Sequence, residues 1–319
     1  MKKHNFYAGP SILSQYTIKN TADAVLDFAG TGLSLLEISH RSKEFSAVMD
    51  EARALVKELL DVPAGYDVVY LGGGASLQFC MVPFNLLKKK AAYLETGTWA
   101  VNAIKEAKLF GEVDVVASSK EANFTYIPKD YTVPEDADYF HITTNNTIYG
   151  TEYKDFPKFD VPVICDMSSD ILSRKANVKD FDLIYAGAQK NLGPAGVVIV
   201  IAKKSFLATA REELPTMLKY STFANNDSLY NTPPVFAIYM VNKTLHWIKK
   251  QGGVNAIAKN NAAKAKLIYD VIDNSDGFYK GHAAPEARSN MNITFNLATP
   301  EMEKDFVAKG KAAGFVGIG

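Results

Sequence analysis

The sequence predicts an α/β fold in three layers, with helices on both faces of a mostly parallel sheet. Two patterns carry that prediction. Short apolar β-type runs alternate with helical segments from about residue 67 to residue 202, and such repetition packs as a parallel sheet covered on both sides. Several of these runs also end in turns rich in Gly, Asn or Asp, at the strand ends where ligand crevices form in sheets of this kind. At 319 residues, 47% hydrophobic and 22% charged, the chain has material for a large domain and a smaller one and no signature of disorder.

Taken in order, residues 1–16 read as an extended arm, because Pro10 biases Gly9 away from the α region. A helix is expected over about 17–28, broken by Gly30-Thr31-Gly32. Phe45, Val48, Met49, Ala52, Leu55, Val56 and Leu59 then recur at helical spacing behind Ser42 as N-cap, and Pro63 stops that helix. Strand 67–71 opens into Gly72-Gly73-Gly74-Ala75-Ser76 and a helix over 77–87. Strand 91–95, helix 98–110 and strands 112–117, 139–143, 161–165, 183–186 and 197–202 continue the series. Pro233-Pro234 opens a helix over 235–250, Gly252-Gly253 closes it, and another helix covers 254–272. Strand 291–297 and helix 300–313 belong to a smaller α+β unit. The division is thus an arm (1–16), a large domain (17–254) and a small domain (255–319). A strand starting near 314 has nothing to complete its layer, so the natural chain is expected to be longer.

Composition excludes several classes of function. The 35 basic and 35 acidic residues balance, leaving no footprint for nucleic acid or an anionic membrane. The N-terminus lacks an apolar signal core, and no run approaches the ~20 apolar residues of a membrane span. Cys80 and Cys165 sit in apolar stretches, as buried thiols of a reducing compartment do, so a cytoplasmic protein is expected. The five histidines are scattered and show no metal-ligand spacing.

Two side chains stand where such a sheet does its chemistry. The run 183–186 ends in Gly187-Ala188-Gln189-Lys190, placing Lys190 where a buried strand empties into a Gly/Pro-rich loop, and the run 161–165 ends on Asp166. A lysine held among small residues is partly desolvated, which frees its amine as a nucleophile. An acid and a lysine on successive strand ends suit pyridoxal phosphate, the lysine bonding the cofactor's aldehyde carbon and the acid pairing with its ring nitrogen. Taken singly, such a lysine is more often a solvated surface charge and such an aspartate a cap or turn former; the combination carries the reading. The glycine turn before Ala75 and Ser76 offers free amides, a helix dipole and a hydroxyl to a phosphate, although a purely conformational turn looks the same. Neither GxGxxG nor a P-loop is matched, since Leu77 occupies the third glycine position and no Gly-Lys-Ser/Thr follows. Trp99, just beyond a strand end, is placed either to stack on a planar ring or to fill the core. Thr143-Thr144-Asn145-Asn146-Thr147 supplies hydroxyl and amide donors, or simply turn chemistry.

Beyond these single features, six segments in order resemble one family over essentially the whole chain. They are Asn5-Phe6-Tyr7-Ala8-Gly9-Pro10, Glu37-Ile38-Ser39-His40-Arg41, Gly72-Gly73-Gly74-Ala75-Ser76-Leu77-Gln78-Phe79, the run from Asp166 to Arg174, Tyr185-Ala186-Gly187-Ala188-Gln189-Lys190-Asn191, and Tyr230-Asn231-Thr232-Pro233-Pro234. Together they are similar to the phosphoserine aminotransferase family, class V aminotransferases of the fold-type I pyridoxal phosphate enzymes. The resemblance implies that Lys190 carries the cofactor and moves the proton, and that Asp166 pairs with the ring nitrogen. Ala75, Ser76 and Gln189 would hold the cofactor phosphate, Trp99 would stack on the ring, and Thr147 would contact it. Asn231 and Thr232 would reach the neighbouring subunit's cofactor, making the active unit a homodimer. His40 and Arg41 would meet the acidic substrate, Arg41 by bidentate bonds to an anion.

The implied reaction is reversible transamination between O-phospho-L-serine and 2-oxoglutarate, in serine biosynthesis, with phosphohydroxythreonine of vitamin B6 synthesis as a further substrate. The family places a further His-Arg pair and the arginine for the α-carboxylate in a segment that would follow Gly319. Some members also carry an arginine in the glycine loop, where this chain has Gly74-Ala75-Ser76. The alternatives are another class V activity, of the alanine–glyoxylate or serine–pyruvate type, and a non-catalytic protein on the same fold.

Overall fold

A computed structural model of the chain describes residues 3–156 and 158–319; of the predicted arm, residues 1 and 2 lie outside the described residues. Seven strands make the central sheet: β1 (Tyr66–Gly72), β2 (Lys90–Glu95), β3 (Glu112–Ser118), β4 (Phe140–Thr143), β5 (Val163–Asp166), β6 (Leu183–Gly187) and β7 (Val197–Lys203). Their spatial order is β1-β7-β6-β5-β4-β2-β3. Every neighbouring pair is parallel except those of β7, which runs antiparallel to both β1 and β6. The mostly parallel, three-layer prediction therefore holds, with one strand reversed.

The helices cover both faces. One layer holds α1 (Gln15–Leu26), α2 (Lys43–Leu59) and α5 (Val235–Lys250); the other holds α3 (Gly74–Leu86) and α4 (Thr98–Ala107). Strand β7 shows why the sheet is buried on both sides. Val197, Ile199 and Ile201 point into the core beneath α2 and α5, whereas Val198, Val200 and Ala202 point into the core beneath α3 and α4. Helix α2 begins as its sequence dictates, with Ser42 Oγ accepting from Phe45 N at 3.2 Å. Helix α3 starts at Gly74, earlier than expected, so Ala75 and Ser76 lie in its first turn rather than in the loop.

Helices α6 (Gly253–Asp273) and α7 (Pro300–Ala312) form the smaller C-terminal part, where Tyr279, Phe295 and Phe306 pack edge to face. Three expectations are corrected here. The predicted strand 291–297 shrinks to Phe295–Asn296, because Met291 and Asn292 donate their amides to Ser289 Oγ instead of to a ladder. The strand near 314 does have a partner: Phe315–Val316 pairs in parallel with His4–Asn5 of the arm. Cys165 is buried as expected, but Cys80 is only half-buried and donates to Glu106 Oε2 at 3.3 Å.

Candidate active site

The carboxyl ends of β1, β2, β4, β5 and β6 open on one edge of the sheet, where Asp166, Lys190, Trp99 and Thr147 come together. Strand β5 ends on Asp166, 4% exposed, whose Oδ1 accepts hydrogen bonds from Ser168 N at 2.9 Å and Ser168 Oγ at 2.6 Å. Ser168 Oγ in turn accepts from Gly187 N, at 3.1 Å, on the end of β6. One serine thereby fixes the acid and ties it to the strand that leads to the lysine.

Lys190 follows two residues after the alanine that leaves β6. Its Nζ donates to Thr147 Oγ1 at 2.6 Å and stands 5.4 Å from the centroid of the Trp99 ring. Burial pushes the Lys190 amine below the ordinary lysine value, opposed by the charges of Asp166 and Asp170. Burial likewise raises the Asp166 carboxyl, opposed by the Lys190 charge and the Ser168 bonds. A depressed lysine facing a sequestered acid is the electrostatic setting of a nucleophilic amine.

Trp99 sits in the first turn of α4, and that turn is locked to the segment carrying Thr147. Thr96 Oγ1 donates to Asn146 Oδ1 at 3.2 Å, and the Thr98 and Tyr149 hydroxyls lie 3.1 Å apart. The Trp99 indole nitrogen is buried without a hydrogen-bond partner, and the ring packs only partly into the core. At the end of β1, Gly73 precedes α3 at φ +91° with no side-chain cap, leaving the first amides of that helix uncapped. Ala75 and Gln189 converge on Gly187, where a Cβ would meet Gln189 Oε1 at 2.7 Å and Ala75 Cβ at 3.3 Å, so a side chain there would displace the Gln189 amide.

The site residues fit pyridoxal phosphate. A buried carboxylate has one oxygen fully engaged by Ser168, a desolvated amine lies beside an indole face, and uncapped helix amides lie at the end of β1, with Ala75 close to Gly187. Not every predicted residue joins them within one protomer. His40 is buried with Nε2 unpartnered, and burial together with Arg41 lowers its pKa. Arg41, Asn231 and Thr232 are exposed, and no hydrogen bond or ion pair links them to Lys190 or Asp166 among the described residues. Sequence reasoning missed Ser168 and the buried Tyr185–His141 pair (Tyr185 Oη to His141 Nε2, 2.9 Å), which lies on strands β6 and β4. The Asp166-x-Ser168 spacing, an Asp bonded to a residue two further on, was the available signal for the first.

The fold is that of an aminotransferase, and the family description Aminotransferase class-V matches residues 3–317. The chain belongs to the class V aminotransferases. A phosphoserine aminotransferase of Parabacteroides distasonis is 62% identical over 320 residues, spanning 100% of this chain and 90% of that protein. A solved phosphoserine aminotransferase, described for radiation damage of its Schiff base, superposes with a TM-score of 0.98 at 51% identity, covering 99% of this chain and 90% of that one. A pyridoxal phosphate-bound phosphoserine aminotransferase of Trichomonas vaginalis gives a TM-score of 0.94 at 35% identity, covering 98% and 90%. Within its class, the chain groups with the phosphoserine aminotransferase family.

Proposed function

We propose that this chain catalyses reversible transamination between O-phospho-L-serine and 2-oxoglutarate, yielding 3-phosphooxypyruvate and L-glutamate, as a cytoplasmic, pyridoxal phosphate-dependent homodimer. The observation that carries the reading is the desolvated Lys190 amine, beside Trp99 and facing Asp166, in a chain similar throughout to phosphoserine aminotransferases. No helix among the described residues is long and apolar enough to cross a membrane. The large part (17–254) would supply the cofactor site.

Bound pyridoxal phosphate supplies an electron sink for the pair left on the substrate Cα when its proton departs. Lys190 would hold the cofactor through its amine, then, once displaced by substrate, take the Cα proton and return it at C4′. Asp166, kept in place by Ser168, would hold the ring nitrogen in its protonated, electron-withdrawing form. Trp99 would fix the ring plane and Thr147 would orient the lysine amine. Ala75, Ser76 and Gln189 would bind the cofactor phosphate, with Asn231 and Thr232 contributed across the dimer. Arg41 and His40 would meet the distal anion of phosphoserine or glutamate.

The test is an absorbance spectrum of the purified, cofactor-loaded protein before and after L-phosphoserine. The visible band should convert to the pyridoxamine form with phosphoserine and not with serine. No band after adding pyridoxal phosphate would overturn the reading of Lys190. Two variants sharpen it. Asp166→Asn keeps the shape and much of the Ser168 contact but loses the charge, and kcat should fall about 100- to 1,000-fold, the scale of removing one preorganised electrostatic partner. Arg41→Ala should raise KM for phosphoserine by about tenfold or more, the loss of a charge-assisted contact, and abolish the preference for phosphoserine over serine; an unchanged preference would favour a sibling class V activity.

A further inference from the structure

The N-terminal arm makes contacts that the reaction as written does not use. At one end His4 N donates to Gly314 O at 2.9 Å and Phe6 N to Val316 O at 2.8 Å, with the Phe315 ring stacked on both His4 and Phe6. Gly317, at φ +74°, lies so close behind that a Cβ there would stand 2.4 Å from Tyr7 N. At the other end, Ser11 N donates to Gln189 O at 2.8 Å and Ser11 Oγ donates to Lys190 O. A Cβ on Gly9 would stand 3.2 Å from Lys190 Cγ.

These contacts bear on the backbone at the lysine. Ala188 N is paired with Val197 O and Gly193 N with Ala188 O, so the loop is tied at either side of Lys190. The carbonyls of Gln189 and Lys190 themselves are both satisfied by Ser11. Without those bonds the two carbonyls flanking the lysine Cα lose their partners, and the segment keeps Asn191 Nδ2 on Ile171 O and Lys190 Nζ on Thr147 Oγ1 to hold it there.

We propose that the arm is a strap that positions Lys190. Ser11 is the positioning residue at the lysine, and the strap is seated at its far end by the close approach of Gly317 to Tyr7. Position is thereby passed from the Phe315–Val316 strand of the C-terminal part to the reactive amine. The importance given to the amine rests on the aminotransferase reading, and the experiment separates the two.

Lys190 is followed in the cofactor-free protein by competitive labelling across pH with acetic anhydride, and its loop by amide exchange, both read by mass spectrometry. Ser11→Ala should raise the apparent pKa of the Lys190 amine by about half a pH unit, about threefold in neutral amine at a fixed pH, and speed exchange over residues 188–192. The melting temperature should stay near that of the wild type. Ser11→Thr, which keeps the hydroxyl, should restore both readings. Gly317→Ala should move them in the same direction although residue 317 does not touch the lysine. Wild-type labelling and exchange in Ser11→Ala would overturn the proposal. So would a response to Ser11→Ala without one to Gly317→Ala, which would reduce Ser11 to a local contact. A wild-type protein that forms no visible band with pyridoxal phosphate, yet shows these shifts in the variants, would sink the aminotransferase reading and leave the strap standing.

Discussion

Lys190→Ala should abolish transamination, lowering kcat by about 10⁴-fold or more, since proton transfer by a positioned base is itself worth about 10²- to 10⁴-fold and the amine also holds the cofactor. The thermal stability of the protein should change little, because a desolvated amine bonded to one hydroxyl contributes little net stabilisation. Lys190→Arg should be as inactive as the alanine variant, as a guanidinium stays charged and cannot act as a base. The pH dependence follows from the sign of the shift. Burial lowers the pKa of the Lys190 amine, so its neutral form persists to lower pH than that of an ordinary lysine, and activity should decline only as pH falls through that depressed value. Steady-state rates for the two variants, with single-turnover absorbance, check this. More than a hundredth of wild-type kcat in Lys190→Ala would remove the lysine from the mechanism.

How far the sequence reveals this site depends on the range of the interactions involved. Lys190 and Asp166 were legible because Asp166 closes a buried apolar run and Lys190 follows shortly after another, and parallel strands deliver such ends to one edge. The direction of Val197–Lys203 was not legible, because a strand buried on both faces looks the same whichever way it runs. Residues 291–297 carry a strand-like alternation, but Ser289 captures the amides of Met291 and Asn292, and Asn292 Oδ1 accepts from Asn145 Nδ2 at 2.8 Å. No local pattern announces that side-chain competition. The pairing of His4–Asn5 with Phe315–Val316 joins opposite ends of the chain, and the contact of Ser11 with Lys190 spans 179 residues. Periodicity carries no information at that separation. Arg41, Asn231 and Thr232 were singled out by resemblance alone; one protomer leaves them exposed, and their proposed roles need a second subunit or a bound substrate.

Arg174→Ala should destabilise the fold by about 3–5 kcal/mol at neutral pH, the cost of breaking a buried ion pair from one side. Arg174 Nε lies 2.8 Å from Glu152 Oε1 and Nη2 lies 3.2 Å from Asp170 Oδ2, and the two acidic side chains are 1% and 3% exposed. Thr144 Oγ1 also donates to Asp170 Oδ1 at 2.6 Å, and Asn290 N donates to Glu152 Oε2 at 2.8 Å. Neither bond replaces the lost charge. Even with the arginine present, burial pushes the Asp170 carboxyl from 3.8 up to about 6. The folded state therefore holds a proton on Asp170 that the unfolded chain has lost, and this group's contribution to stability falls as pH rises between those two values. Without Arg174 the folded-state pKa must rise further, which widens the window. The deficit of Arg174→Ala should thus be largest at neutral pH and shrink as pH is lowered toward about 4–5, where protonation makes the buried carboxyl neutral. Denaturant unfolding of both proteins at pH 5 and pH 7.5 tests this. A deficit independent of pH would mean that the variant loses packing of the guanidinium over Phe156, 4.7 Å from the ring centroid, rather than charge compensation. Arg174→Met should distinguish the two further: it keeps apolar volume against Phe156 but leaves Asp170 without its ion-pair partner and Glu152 with only Lys154, 3.5 Å away, so it should show the same pH-dependent loss as alanine.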